Sequence, residues 1–227
     1  MTENRSEGSD RCKTRIMIVE DHPIFRLGMK ELINQEEDLC VCGEADDITA
    51  GWNKISELKP DMVIVDISLK GRNGIELIRD ISRDYKTMPV LVLSMHDESL
   101  YAERAFHAGA KGYIMKQSAS ESIVKAIRCV LSGKIYASEK FMESILSKFT
   151  QGQPEAGGSP VDILTNREME VLQFMGEGYT TKEVAEKLSL SVKTISTYRE
   201  RIKEKLNLKN AAELMRYAVS WVRKGHE

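Results

Sequence analysis

The stretch MVIVD (Met62–Asp66) decides how the chain reads: four apolar residues in an unbroken run, then a carboxylate. A continuous apolar run, with no polar alternation, marks a strand buried on both faces, as in a parallel sheet covered by helices. Similar runs lie on either side: IMIV (Ile16–Val19), LCVC (Leu39–Cys42), VLVL (Val90–Leu93) and GYIM (Gly112–Met115). Between them apolar residues recur at helical spacing, as in Ile75, Ile78 and Ile81, or Ile123, Ile127 and Val130. Five strand–helix repeats over residues 14–133 predict an α/β domain, a doubly wound five-stranded parallel sheet. Right-handed crossovers would bring the strand C-termini to one edge, where such sheets carry their sites.

The pattern then changes. Residues 134–161 form a linker in which Phe141, Ile145, Leu146 and Phe149 predict a short helix, followed by TQGQPEAGGSP (Thr150–Pro160), rich in Gly and Pro and without apolar periodicity. Residues 162–227 are helical in pattern throughout, with helices predicted near Asn166–Gly176, Thr181–Leu188, Val192–Leu206 and Ala211–Arg223: a small all-α four-helix domain. Thr165 with Glu168 three residues on forms a capping-box signature, and Ser191 is placed to cap the third helix. On that helix Val192, Ile195, Tyr198, Ile202 and Leu206 form an apolar stripe expected to face the domain core.

Composition narrows the classes. With 41% hydrophobic and 30% charged residues, the chain of 227 is an ordinary globular protein. A formal net charge of −2 gives no hint of nucleic acid, but it is an average. From Glu155 to the end there are 12 basic and 11 acidic residues, and between Thr180 and Lys209 there are eight basic and four acidic. No apolar run approaches the ~18–20 residues needed to span a bilayer, and the first fifteen residues are polar, so neither a membrane span nor a secretory leader is expected. The four cysteines lack zinc spacing; Cys40 and Cys42 read as small buried apolar residues, and a reducing, cytoplasmic home is the default.

Chemistry-bearing residues cluster at the predicted strand ends. Glu20 and Asp21 follow the first run, Asp66 the third, Ser94 the fourth and Lys116 the fifth. Each alone is an ordinary loop residue; the set is what carries meaning. Crowded carboxylates repel and are tolerated when a cation neutralises them. Mg²⁺ takes carboxylate, phosphate and water oxygens. A metal held by Asp21 and Asp66 would leave the other Asp66 oxygen free as a nucleophile toward a phosphoryl group. Lys116 would offset the charge on the transferred group.

These motifs, VEDHPIFRLG (Val19–Gly28), VIVDISLKGRNG (Val63–Gly74), VLVLS (Val90–Ser94) and GAKGYIMK (Gly109–Lys116), resemble the receiver domain of two-component response regulators. The resemblance implies a flavodoxin-like sheet with Asp66 as phosphoacceptor, Glu20 and Asp21 as the acidic metal pocket, and the backbone carbonyl of Ser68 as a third protein ligand for Mg²⁺. It also implies Ser94 as the switch hydroxyl, Lys116 as its cationic partner, and Tyr113 as an aromatic switch that turns inward on activation. One position departs: Lys70 stands where the family usually has proline, which leaves the loop less restrained. Ser68 and His96 occupy positions that tune acyl-phosphate hydrolysis in the family, although His96 reads more simply as a surface histidine.

The second half resembles the LuxR-type helix-turn-helix through LTNREMEVL (Leu164–Leu172), GEGYTTKEVA (Gly176–Ala185), SVKTI (Ser191–Ile195) and IKEKL (Ile202–Leu206). Together the halves resemble the NarL/FixJ response regulators. That likeness implies base-edge contacts from Ser196, Thr197 and Glu200, and phosphate contacts from Thr181, Lys182, Lys193, Arg201 and Lys205, with Thr194 on the same DNA-binding surface. It implies dimerisation through the last helix, at Ala211, Leu214 and Ala218. Tyr198 and Thr181 depart from the usual histidine and asparagine, and Glu200 repels phosphate unless it accepts from a cytosine amine.

The expectation is therefore a cytoplasmic transcription regulator, not a turnover enzyme. Its partners would be a cognate sensor histidine kinase, promoter half-sites in duplex DNA, a second copy when active and, at the promoter, RNA polymerase, with no membrane. A phosphohydrolase of the haloacid dehalogenase type is the enzymatic rival, weakened because Ser68 replaces the usual second aspartate. A phosphorylation-independent binding module is the other rival, weakened by the full set of pocket residues.

Overall fold

The computed structural model describes residues 13–69, 74–95, 98–150, 160–188 and 190–225. Lys70, His96 and residues 151–159 of the linker lie outside the described residues.

The five predicted runs form one parallel sheet in the order β2-β1-β3-β4-β5. The strands are β1 (Thr14–Val19), β2 (Leu39–Ala45), β3 (Met62–Asp66), β4 (Val90–Ser94) and β5 (Gly112–Met115). They alternate with helices α1 (Pro23–Asn34), α2 (Ile48–Leu58), α3 (Gly74–Asp84), α4 (Glu98–His107) and α5 (Ala119–Leu131). In β1 the alternation of Ile16 and Ile18 with Met17 and Val19 sends side chains to both faces, and all four are fully buried. Ile16 and Ile18 join Met29 and Ile33 of α1 and Ile123 and Ile127 of α5 in one continuous core. On α3, Ile75, Leu77, Ile78 and Ile81 are buried, the stripe that its 3.6-residue period predicts.

Strand order reverses between β1 and β3, so their C-terminal ends border the crevice that a doubly wound sheet opens for a ligand. A glycine lets α3 start tight against that edge: a Cβ on Gly74 would lie 2.1 Å from the Asp66 carbonyl oxygen, nearer than any side chain tolerates. One expectation needs correcting. The β1–β2 register passes from Ile16–Val41 to Met17–Gly43, leaving Cys42 as a bulge. Cys40 and Cys42, on the edge strand of the sheet, are half-buried, not core residues, and partial burial pushes the Cys42 thiol pKa up.

Two compact units divide the described residues, one running to Met95 and including Ala105–Tyr136, the other taking α4 up to Arg104 and resuming at Ala137. The second unit thus takes most of α4, a division that sequence periodicity does not foreshadow. It also holds α6 (Glu139–Thr150), longer than the short helix expected, and then α7 (Asn166–Gly176), α8 (Thr181–Lys187), α9 (Val192–Lys205) and α10 (Ala211–Gly225). Thr165 and Glu168 form the predicted capping box of α7, and Thr180 with Glu183 forms a second one at α8. Helices α7 and α10 touch where Gly176 meets the Ala218 carbonyl; a Cβ there would lie 2.4 Å from that oxygen. No described helix is long and apolar enough to cross a membrane.

Candidate functional site: an acidic pocket and a basic helix

Parallel strands ending at one edge bring the predicted pocket together. Glu20, Asp66 and Ser94 are fully buried, Asp21 is 6% exposed and Lys116 is 7% exposed. The Lys116 ammonium reaches across from the end of β5 to donate to Glu20 Oε1 at 2.8 Å and to Asp66 Oδ2 at 2.9 Å. The other Asp66 oxygen accepts from the Ser68 backbone N–H at 3.0 Å. Phe25 of α1 presents its ring to Lys116 with the ammonium 5.0 Å from the centroid, a cation–π contact that helps hold the buried cation in place.

Charge does not balance in this space. Three carboxylates, Glu20, Asp21 and Asp66, face one buried lysine. Burial, and then repulsion from Glu20, push the Asp66 pKa up, and Lys116 and the Ser68 N–H offset this only in part. Glu20 Oε2 and Asp21 Oδ1 are buried without a hydrogen bond of proper geometry, although Lys116 Nζ lies 2.7 Å from the first and His22 Nδ1 lies 2.9 Å from the second. Ligand atoms of Glu20, Asp21, His22 and Asp66 all fall within 4.8 Å of one another. An excess of hard oxygen donors with unspent lone pairs is the donor set that a divalent cation such as Mg²⁺ fits.

Tyr113, the expected aromatic switch, is 1% exposed, so its ring already lies inside. His22, absent from the expected set, is the addition that the structure makes to the pocket. Its place directly after Glu20 and Asp21 was a signal available in the sequence.

The second candidate site is the α8–turn–α9 pair. Ser191 caps α9, accepting from the Thr194 N–H at 3.0 Å. Ile195 and Ile202 anchor the helix in the core at 0% exposure, and Lys182, Lys193, Ser196, Thr197, Glu200 and Arg201 point to solvent. The first turn of α8 is tied to α9 where Arg199 Nη1 donates to Thr181 Oγ1 at 2.6 Å. Arg199, not among the expected residues, therefore sets how the two helices meet. The Ser196 and Thr197 hydroxyls donate back to the carbonyls of Val192 and Lys193 at 3.0 and 3.1 Å, and Lys203 pairs with Glu200 at 2.6 Å. The side chains of Lys182, Lys193 and Arg201 have no hydrogen bond or ion pair among the described residues, so their charge is open to an anion.

The structure bears on three further expectations. Lys205 donates at 2.6 Å to Glu168, a carboxylate only 2% exposed that also accepts from the Thr165 N–H, so its charge is shared with the α7 capping box. Val192 is 49% exposed, outside the core stripe, because the first residue of a helix lies beyond the packed turns. Leu214 and Ala218 are fully buried within their own module, where α10 packs on α7, whereas Ala211 is exposed.

Comparison with known proteins agrees with both halves. Residues 16–128 match the family model of the response regulator receiver domain, and residues 162–218 that of the bacterial regulatory proteins of the luxR family. The oxygen regulatory protein NreC of Staphylococcus epidermidis is 36% identical over 210 residues, covering 90% of this chain and 96% of that protein. A LuxR-family response regulator from Aurantimonas aligns with a TM-score of 0.57 and 36% identity, covering 61% of this chain and 99% of that one. RcsB of Salmonella enterica serovar Typhimurium, solved on a promoter with the phosphomimetic BeF3−, aligns with a TM-score of 0.55 and 30% identity, covering 91% of this chain and 99% of that one. Receiver fold, acidic pocket and helix-turn-helix thus converge, and the chain belongs to the NarL/FixJ-type response regulators of two-component systems, DNA-binding regulators of transcription.

Proposed function

We propose that Asp66 is the phosphoacceptor through which a sensor histidine kinase controls DNA binding by the α8–α9 pair. The observation that carries this is the Asp66 carboxylate itself: fully buried, gripped on one oxygen by Lys116 at 2.9 Å and on the other by the Ser68 N–H at 3.0 Å. Such a carboxylate is held in one orientation, which is what in-line attack requires. An Asp66 oxygen attacks phosphorus, the bond from phosphorus to the kinase histidine nitrogen breaks, and the nitrogen keeps the electron pair. Lys116 then moves its charge from carboxylate to phosphoryl oxygen. Glu20, Asp21, Asp66 and the Ser68 carbonyl would hold Mg²⁺, which supplies neutralisation of the charge on the transferred group. Ser94, buried at the end of β4, would donate to the phosphoryl oxygens, and the buried Tyr113 would pack behind it.

The output is DNA. Lys182, Lys193 and Arg201 meet phosphates, and Thr181 supports them through Arg199; Thr194, Ser196, Thr197 and Glu200 line the face toward the bases once the Ser196 and Thr197 hydroxyls leave their own helix carbonyls. The RcsB structure on a promoter with BeF3− supports a phosphorylated, DNA-bound working state, and a homodimer there would read paired half-sites. The protein would act in the cytoplasm, beside its DNA and kinase. With acetyl phosphate and Mg²⁺, the wild-type chain should give a retarded band on a phosphate-affinity gel and Asp66→Asn none. A shifted band from Asp66→Asn would remove the assignment.

A further inference from the structure

We infer that Val192 is a base-reading residue of α9, and that the feature it reads is the 5-methyl group of a thymine in the major groove. This rests on the reading above that α9 enters DNA, and adds a residue and a chemical target to it.

An exposed valine standing alone is ordinary on a protein surface. Position is what gives this one meaning. Among the described residues of the helical module, Ile163, Val192 and Met215 are the large apolar side chains left exposed, and of these only Val192 lies on the α8–α9 pair. It is 49% exposed and is the first residue of α9. A recognition helix meets base edges with its N-terminal residues, so this is the end of α9 from which a side chain reaches the groove floor.

The first turn is held firmly. Ser191 is extended at φ −78° and ψ 150°, and its hydroxyl accepts from the Thr194 N–H at 3.0 Å. One turn on, the exposed Ser196 hydroxyl donates to the Val192 carbonyl at 3.0 Å. Residues four apart share a helix face, so the Val192 isopropyl group and Ser196 lie on one side, with the unengaged ammonium of Lys193 next in the chain. A β-branched side chain on a helix has one strongly preferred χ1, so Val192 gives up little freedom on docking.

The chemistry of an isopropyl group selects one base. Every base pair presents donors and acceptors in the major groove, but thymine alone adds a hydrocarbon, its 5-methyl group. Against a hydrogen-bonding edge, valine displaces water and returns no hydrogen bond, which costs affinity. Against the thymine methyl it removes apolar surface from water on both partners, and one methyl group of such burial corresponds to about fourfold in affinity.

The test starts from the duplex that the full chain, with BeF3− and Mg²⁺, enriches from a randomised duplex pool. Deoxyuridine then replaces each thymidine of that duplex in turn, which deletes the methyl and keeps the hydrogen-bonding edge. Wild type and Val192→Ala are titrated onto every duplex at low salt, where phosphate contacts keep both bound. At one thymine in each half-site, loss of the methyl should weaken wild type about threefold to fivefold and Val192→Ala by less than about 1.5-fold. The ratio is taken within each protein, so a general weakening by the substitution cancels. If no thymine is methyl-sensitive in wild type alone, the inference is overturned, and groove entry by α9 stands provided that Thr197→Ala still alters the enriched sequence. Enrichment of no sequence from the pool would overturn both.

Discussion

At the scale of single residues, Asp66 shows how function and stability oppose each other. Burial and the neighbouring Glu20 raise its pKa in the folded chain above its unfolded value. A carboxyl shifted in that direction favours folding below the ordinary carboxylate range and loses that contribution as pH rises through the folded value. Above the ordinary carboxylate range, without metal, the buried Asp66 carboxyl is therefore a cost that the fold carries. Asp66→Asn should raise the melting temperature of the receiver transition in EDTA at pH 7 by roughly 2–4 °C. The gain should vanish below the ordinary carboxylate range, where Asp66 is protonated folded or unfolded; scanning calorimetry at the two pH values reads both. The pocket residues were legible because a parallel sheet turns strand-end position into proximity, so Glu20, Asp21, Asp66, Ser94 and Lys116 could be named without coordinates. Lys205 was not legible. Whether a lysine on a helix faces phosphate or a buried carboxylate depends on which helix lies beside it, and Glu168 is 37 residues away.

At the scale of elements, hydrophobic periodicity placed nearly every helix and strand, because a period of two or of 3.6 is imposed by the backbone alone. What periodicity leaves open is the identity of the surface that a stripe meets. Ala211, Leu214 and Ala218 lie on one side of α10, and such a stripe suits a second copy as well as it suits α7. The structure places Leu214 and Ala218 against the module's own core at 0% exposure, with Gly176 allowing the backbones to close up. Leu214→Ala should consequently destabilise the helical module of the monomer by about 2–5 kcal/mol, the usual range for emptying a core leucine site. Urea unfolding of that module should show the loss at every protein concentration. A fall in dimer affinity with the module's stability intact would restore the interface role. The bulge at Cys42 is a second feature outside the reach of pattern, since a one-residue insertion into a ladder has no periodic signature of its own.

At the scale of the whole molecule, the net charge of −2 joins two opposite jobs. One region concentrates carboxylates around Lys116, in the pocket proposed for a cation and a phosphoryl group. The other gathers eight basic residues against four acidic ones between Thr180 and Lys209. Several of those charges are spent internally: Lys203 on Glu200, Lys205 on Glu168, Lys187 over the ring of Tyr179. The cations with unengaged side chains are fewer than the count suggests, and Lys182, Lys193 and Arg201 are the ones proposed to meet DNA. A small number of phosphate contacts means a shallow salt dependence per module, so each contact is a measurable fraction of the whole. Lys193→Ala should weaken binding to all duplexes about alike and reduce the slope of log affinity against log salt by about 1. Thr197→Ala should instead alter which sequence is preferred, because a base-edge residue carries discrimination and little of the electrostatic term. Binding isotherms on specific and random duplexes across a salt series, with BeF3− present, separate the two effects. A Lys193→Ala slope equal to wild type, with sequence preference altered, would exchange the roles of these two residues and turn α9 on its axis in the groove.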